Sequence, residues 1–488
     1  VFGDVPPPLD SDACYRALVA RDARFDGLFF VGVETTGIYC RPVCRARTPG
    51  RARCAFFRTA TQAEGAGFRS CFRCRPELAP GGAPIDAVSR VVARAMSRIE
   101  EGALSEGGSV DGLARELGVS GRHLRRAMQA ELGVSPLALA ETRRLALARQ
   151  LIVDTALPLT EVAFASGYGS VRRFNAAVRA RFGRSPSTMR RGGRQGQVGE
   201  GGDVTLSLHY RAPYDWAALL RHLGSHAIPG VEAIDDGVYR RTAAFGARRG
   251  WLAVAHDQAR GALRVTISAS LAGALMTVVA RLRRLFDLDA QPQTIAAHLE
   301  RDPLLAPHVR ARPGLRVAGA FEPFEAAARA VLGQQVSVAA ARTLAGRLVE
   351  AFGEAAPTPH AGLTRLHPTA AAIAKQPASA LAARLGMPAT RAATLRALAR
   401  AVSAGELALD AEDTLDGLIA RIGALPGVGP WTAHTVAMRA FGWPDAFPDG
   451  DLVLRKALGG ISAREARALA EPWRPWRAYG ATHLWSQT

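Results

Sequence analysis

The chain has 488 residues, 48% hydrophobic and 22% charged, which is too long for one core and too apolar for a disordered chain. It carries 62 basic against 43 acidic side chains, a net +19 spread over both halves: 30 against 19 in residues 1–200, 32 against 24 in the remainder. That balance favours a polyanion such as nucleic acid, and the absence of any apolar run of about 18 residues excludes a membrane-spanning helix. Val1 to Asp12, with three acids and three prolines, does not read as a secretory signal, so a cytoplasmic setting is expected.

All six cysteines lie in the first 74 residues. Cys40-x3-Cys44 and Cys71-x2-Cys74 are two close-spaced thiol pairs 26 residues apart, the spacing of a closed tetrahedral zinc site with four thiolate ligands. Disulfides would need an oxidising compartment, and a purely structural zinc ribbon is the alternative. Cys14 and Cys54 fall off the pattern and read as ordinary thiols. From Thr35 to Arg75 there are nine arginines, at 41, 45, 47, 51, 53, 58, 69, 73 and 75, against one acid, Glu64. Zinc-bound thiolates stay deprotonated at neutral pH and are nucleophilic, and arginines beside them suit a DNA backbone.

Thr35-Thr-Gly-Ile-Tyr-Cys-Arg-Pro-Val-Cys-Arg-Ala-Arg47, with Gly67-Phe-Arg-Ser-Cys-Phe-Arg-Cys-Arg-Pro76, resembles the N-terminal domain of the Ada family of methyl acceptors. The resemblance implies one Zn2+ on Cys40, Cys44, Cys71 and Cys74. It also implies that Cys40 takes a methyl group irreversibly from a DNA methylphosphotriester, and that Thr36, Arg45, Arg47 and Arg69 face DNA. This domain is placed at 1–82.

Residues 83–190 read as short amphipathic helices. Val110 to Met128 suggests helix, a turn at Gly118-Val-Ser120, and a second helix with Leu113, Leu117, Leu124 and Met128 inward and Arg122, His123, Arg125 and Arg126 outward. Leu159 to Phe174 repeats the plan with Ser170, Arg172 and Arg173 exposed. Gly133-Val-Ser-Pro136 and Gly183-Arg-Ser-Pro186 recur 50 residues apart. A helix entering the major groove would present such side chains to bases and phosphates; a bundle with solvated arginines is the alternative. The paired arrangement is similar to the AraC-type double helix-turn-helix domain. A Gly-rich linker follows at 191–202.

Residues 203–293 show strand-like alternation, with Leu263, Val265 and Ile267 on one face, and read as a small mixed β-sheet domain ending near Gln291-Pro-Gln293. Residues 294–488 read as helical. Leu425-Pro-Gly-Val-Gly-Pro-Trp-Thr-Ala433 is a hairpin between helices, in which Gly427 and Gly429 would let backbone N–H groups cradle a phosphate. Phe447-Pro-Asp-Gly-Asp-Leu-Val-Leu-Arg-Lys456 sets Asp449 and Asp451 at a helix start, where the plain role of Asp451 is an N-cap. Together with Tyr214-Asp-Trp216 and Leu332-Gly-Gln-Gln-Val-Ser-Val338, these resemble the helix-hairpin-helix DNA glycosylases, and most closely the AlkA type. The resemblance implies Asp451 as the carboxylate that supports an oxocarbenium-like state, with Asp449 less favoured. It further implies a base pocket of Trp431, Trp476 and Thr435, and Gln335 at the position of the inserted wedge. Thr435 and His222 replace aromatic residues of the family.

The expected architecture is multidomain and mainly α. It comprises a small α/β zinc domain, a double helix-turn-helix domain, a small mixed β-sheet domain and an all-α glycosylase domain. The expected function is DNA alkylation-damage repair combined with methylation-activated transcriptional regulation: single-turnover methyl transfer to Cys40, and monofunctional 3-methyladenine-type base excision that needs no cofactor. The alternative is a transcription factor whose glycosylase half only holds DNA. Double-stranded DNA, alkylated or promoter, is the expected partner, with RNA polymerase as a second, for a nucleoid-associated monomer. Methylating Cys40 would lower the formal charge of the zinc centre from −2 to −1 and so favour promoter binding.

Overall fold

The computed structural model describes residues 9–80, 90–105, 107–191, 202–407 and 414–487. The linker read at 191–202 falls almost entirely outside them. The chain divides into two compact units: Val1–Ala212 with Asp257–Ala280 and Leu288–Ala290, and Pro213–His256 with Arg281–Asp287 and Gln291–Thr488. Residues 203–293 are thus shared between the two units.

The first unit opens with α1 (Ser11–Ala20), capped by the Asp10 carboxylate. A sheet follows in the order β3-β1-β2-β4, made of β1 (Phe30–Val33), β2 (Ile38–Cys40), β3 (Cys54–Phe57) and β4 (Arg69–Ser70). Alternation sends Phe29 and Val31 into one cluster with Cys14, Leu18 and Cys54, and Phe30 into another with Tyr39 and Ala63. Cys14 and Cys54 are core thiols. Helix α2 (Ala60–Gly65) starts at a capping box of Thr59 and Gln62.

Seven helices continue the unit: α3 (Arg90–Glu100), α4 (Val110–Glu116), α5 (Gly121–Leu132), α6 (Pro136–Asp154), α7 (Leu159–Ala165), α8 (Val171–Phe182) and α9 (Pro186–Arg191). The 50-residue echo is a repeat of start and stop signals. Ser120 and Ser170 cap α5 and α8, Gly133 and Gly183 end them at φ 68° and 66°, and Pro136 and Pro186 begin the next helices. Leu113, Leu117, Leu124 and Met128 are all buried, so the inward face read from the sequence is the core face.

Five further strands are β5 (Val204–His209), β6 (Glu232–Asp235), β7 (Val238–Phe245), β8 (Arg248–Asp257) and β9 (Ala262–Ile267). In the first unit β5 pairs with β9, and in the second β6, β7 and β8 form a meander. These three pairings are antiparallel. The reason is local: Asp236 and Gly237, at φ 52° and 73°, make a two-residue turn, and only antiparallel strands can be joined that tightly. Helices also begin before Gln291, with α10 (Trp216–His226) and α11 (Leu275–Leu285).

The rest of the second unit is helical: α12 (Pro292–Leu299), α13 (Ala306–Ala311), α14 (Pro323–Leu332), α15 (Val338–Phe352), α16 (Ala370–Ala374), α17 (Ala378–Leu385), α18 (Ala389–Ser403), α19 (Leu415–Gly423), α20 (Pro430–Phe441), α21 (Leu452–Ala457), α22 (Ala463–Leu469) and α23 (Arg477–Trp485). Phe286, Phe321, Phe447 and Trp473 are its largest fully buried rings apart from Tyr239. Among the described residues no helix is long and apolar enough to cross a membrane.

Candidate metal centre and catalytic carboxylate

Strand pairing assembles the thiol cluster. β2 and β4 run parallel with Tyr39 opposite Ser70, so the next residues, Cys40 and Cys71, emerge side by side. The short loops after them return Cys44 and Cys74, and all four sulfurs lie within 4.8 Å of one another. None is in a disulfide; Cys44 and Cys71 are buried, Cys40 and Cys74 half-buried. The Arg41 and Arg73 amides donate to the sulfurs of Cys74 (3.4 Å) and Cys71 (3.3 Å), a pattern that favours thiolates. Four sulfurs this close share protons unequally: hydrogen bonding with Cys40 pulls Cys44 down to about 7 and Cys71 lower still, while that with Cys44 pushes Cys40 up. A divalent cation resolves the conflict by deprotonating all four, and Zn2+ fits the set in number, softness and spacing.

The arginines around the cluster divide into two groups. Arg41 pairs with buried Asp26, Arg75 with Glu77 and in a fork with Asp154 at 2.6 and 2.9 Å, and Arg51 with Asp12. Arg41 and Arg75 are structural, contrary to the uniform reading of the nine, while the Arg51 pair lies on the surface and contributes little. Arg45, Arg47 and Arg69 are exposed, as is Thr36, whose hydroxyl donates to the Val33 carbonyl. On the helix pairs, Arg122, Arg125, Arg126, Arg172 and Arg173 are exposed and His123 is half-exposed. Ser170, expected to be exposed, is half-exposed, and its hydroxyl caps α8 by accepting from the Arg173 amide. Arg125 reaches Asp111 at 3.3 Å on the surface, a contact worth little.

In the second unit, α19 and α20 flank the expected hairpin. Gly427 sits at φ 79°, and a Cβ there would lie 2.0 Å from the Thr394 hydroxyl, so only glycine fits. Gly429 differs: its φ is −93°, it precedes Pro430 at the start of α20, and a Cβ would meet nothing within 4 Å. The turn itself makes no demand there; the open space leaves the backbone approachable from outside.

Asp451 caps α21, accepting from the Leu454 amide at 2.8 Å. It does more than cap: the Trp431 and Trp485 indole N–H groups also donate to it, each at 3.0 Å. Both oxygens are thus fixed, and the carboxylate stays half-exposed. Asp449 is 3% exposed and held by Arg467 at 2.6 Å. Arg439 lies 5.5 Å over the Trp485 ring; burial and Arg329 pull it down to about 10, with Asp451 opposing.

The pocket positions are uneven. Trp431 is half-exposed, and the Thr435 hydroxyl donates to its carbonyl. Trp476 is 5% exposed and packs edge-on to Tyr479, so it shows no open face in this conformation. His222 lies 4.3 Å from the His226 ring, and burial with Arg439 nearby pushes it well below the ordinary imidazole range. Gln335 is exposed in the left-handed region, at φ 53°. A strained residue of this kind persists only where its surroundings hold it. Here the neighbour does the holding: the Gln334 amide donates to the Gly427 carbonyl (2.9 Å) and the Thr432 hydroxyl (3.0 Å), and Arg391 donates to the Gln334 carbonyl (2.6 Å).

Three sequence patterns match along the chain: the metal binding domain of Ada over residues 13–77, a helix-turn-helix domain over 113–192, and the AlkA N-terminal domain over 205–322. A Mycobacterium tuberculosis protein named "Probable bifunctional transcriptional activator/DNA repair enzyme AlkA" is 42% identical over 98% of this chain and 96% of its own length. The chain belongs to this AlkA family. The Escherichia coli DNA-3-methyladenine glycosylase 2 is 36% identical over 57% of this chain and 96% of its own length. The Escherichia coli bifunctional transcriptional activator/DNA repair enzyme Ada is 35% identical over 26% of this chain and 34% of its own. The 3-methyladenine DNA-glycosylase of Archaeoglobus fulgidus, at 22% identity, shares the fold with a TM-score of 0.50 over 57% of this chain and 96% of its own.

Within the AlkA family frame, sequence reasoning missed Trp485, Gln334, Arg391 and Arg439. Gln334 sits inside the quoted Leu332–Val338 segment but was passed over for its neighbour Gln335; the other three sit in no recognisable motif. The indole of Trp485 acts on a carboxylate 34 residues earlier, and Arg391 on a turn 57 residues earlier. Only the apolar-plus-Trp character of the C-terminal helix hinted at a packed site there.

Proposed function

We propose that the chain repairs alkylated DNA at two sites and regulates transcription in response. At the first, Cys40 attacks the methyl carbon of a DNA methylphosphotriester: a carbon–sulfur bond forms, the methyl–oxygen bond breaks, and the phosphodiester anion leaves. Zn2+, held by Cys40, Cys44, Cys71 and Cys74, keeps the sulfurs deprotonated when bound. Of the two half-buried sulfurs, Cys40 and Cys74, Cys40 is the acceptor by its match to the first cluster cysteine of the Ada family, and the exposed Thr36, Arg45, Arg47 and Arg69 face the phosphate. Arg122, His123, Arg125, Arg126, Arg172 and Arg173 contact promoter DNA, with Ser170 fixing the entry of its helix.

At the second site an alkylated base is hydrolysed from its sugar. Gly427 and Gly429 seat a phosphate, Gln335 enters the gap left by the flipped nucleotide, and Trp431 stacks on the base with Trp476 and Thr435 behind it. An N-alkylated purine is cationic and leaves with little acid help, so what the site must supply is a fixed negative charge near the sugar. The observation that carries this reading is the Asp451 carboxylate, aimed by two indole N–H groups and a backbone amide. Trp431 offers no amine for a Schiff base, which supports monofunctional chemistry on chromosomal DNA.

The test is incubation with methyl-labelled alkylated duplex. Wild type should carry label into protein and release labelled base; Cys40→Ser should lose only the first, and Asp451→Asn only the second. Loss of neither would reject the assignment.

A further inference from the structure

Arg149 lies on α6, the helix joining the two helix-turn-helix pairs, and is 2% exposed. Its guanidinium donates to the Ser70 hydroxyl at 2.8 Å and to the carbonyl of the thiol ligand Cys71 at 2.9 Å, with Glu77 at 3.1 Å. The same group lies 4.5 Å from the Phe72 ring and 5.6 Å from the ring of Phe182, the last residue of α8. Phe72 and Phe182 themselves meet edge-on at 6.5 Å.

A second strut runs beside the first. Glu64 accepts from the hydroxyl of Tyr39, which precedes Cys40, from the hydroxyl of Thr142 on α6, and pairs with Arg181 on α8. The residues next to Cys40 and Cys71 are therefore both tied to the end of α8, through buried Arg149 and part-buried Glu64 within one compact unit. A charge buried this deeply costs several kcal/mol unless every partner is in place, so the arrangement tolerates little independent movement.

We propose that Arg149 is a positioning residue that couples the state of the thiolate centre to the orientation of α8. The inference rests on the reading of Cys40 as methyl acceptor. Converting one thiolate ligand to a thioether changes the balance of the four sulfurs. The Cys71 limb, whose carbonyl Arg149 grips, passes any resulting shift to Phe72, Phe182 and α8. A change at the centre then biases the second helix-turn-helix through contacts as well as through charge. This differs from a purely electrostatic switch, which needs no Arg149.

The test uses the full-length zinc-loaded protein. Methyl uptake by Cys40 is counted first, so failure of the acceptor reading shows as no uptake and is separate from failure of the coupling. Promoter affinity is then measured before and after methylation, together with hydrogen exchange of amides 171–182. Arg149→Lys keeps the charge but cannot span Ser70, Cys71 and Glu77 together. Phe72→Leu, at a side chain exposed by 47%, interrupts the relay without a buried charge and serves if the lysine variant does not fold.

In wild type, methylation should change exchange across α8 and tighten promoter binding. In either variant that gain should shrink by about fivefold or more, the lower range of ordinary coupling energies, with bound zinc unchanged. A gain retained within about twofold in a folded variant, or unchanged α8 exchange in methylated wild type, overturns the proposal.

Discussion

Replacing Asp451 by Asn removes one negative charge and almost nothing else. The retained oxygen still accepts from Leu454 and Trp485, so α21 keeps its cap. The new amide meets the Trp431 N–H, a donor against a donor, costing about 1–2 kcal/mol of local stability. The lost charge matters more. At ~4–5 Å from a cationic sugar, with an effective dielectric of ~20, it is worth about 3–4 kcal/mol, or two to three orders of magnitude in rate. Single-turnover release of 3-methyladenine from methylated duplex reads this directly. Asp449→Asn is the control: it removes the charge that pairs with Arg467 and should lower stability by about 1–3 kcal/mol while leaving the rate within about threefold. A rate for Asp451→Asn within tenfold of wild type, or a larger rate loss for Asp449→Asn, refutes the assignment of the carboxylate.

Borohydride should trap no covalent adduct between this protein and abasic or alkylated DNA, because the side chains proposed for the site, Asp451, Trp431, Trp476 and Thr435, include no amine. O6-methylguanine should transfer no methyl group to the purified protein, since no cysteine follows Cys74 outside the cluster; radiolabel on the chain would contradict this. His226, held down to about 4 by burial first and Arg329 second, stays neutral in the fold where the unfolded chain takes up a proton. Its contribution is fully present above pH 6.5 and lost as pH falls towards 4, about 3 kcal/mol in all. Urea unfolding at pH 7 and pH 4.5 should show a smaller difference for His226→Gln than for wild type.

Local signals proved legible where one residue type has one physical job. Cysteine spacing led to the four-thiol cluster, Ser and Gly at 50-residue intervals to the repeated helix boundaries, and Gly427 to a turn no other residue fits. The cap role of Asp451 was legible because a carboxylate at a helix start accepts from a free backbone amide, whereas its two indole donors were not. Charges were read less well, since an arginine's partner is set by the fold. Arg41 and Arg75 looked like phosphate contacts but are committed to Asp26 and Asp154, the latter 79 residues away. Gly429 and Ser170 show the same limit at smaller scale: one needs no left-handed backbone, and the other spends its hydroxyl on its own helix.

The confinement of every thiol to the first unit has a consequence under the very stress this family answers. Free alkylating agents attack soft, electron-rich sulfur before amides or indoles. The second unit presents none: the groups proposed to work there are a carboxylate, two indoles and backbone amides, and its methionines, Met387 and Met438, are 7% and 0% exposed. A burst of alkylator that exhausts the cysteine cluster outright therefore leaves the excision site chemically intact. One half of the molecule is consumed as it reports damage. The other goes on turning over in the same poisoned solution.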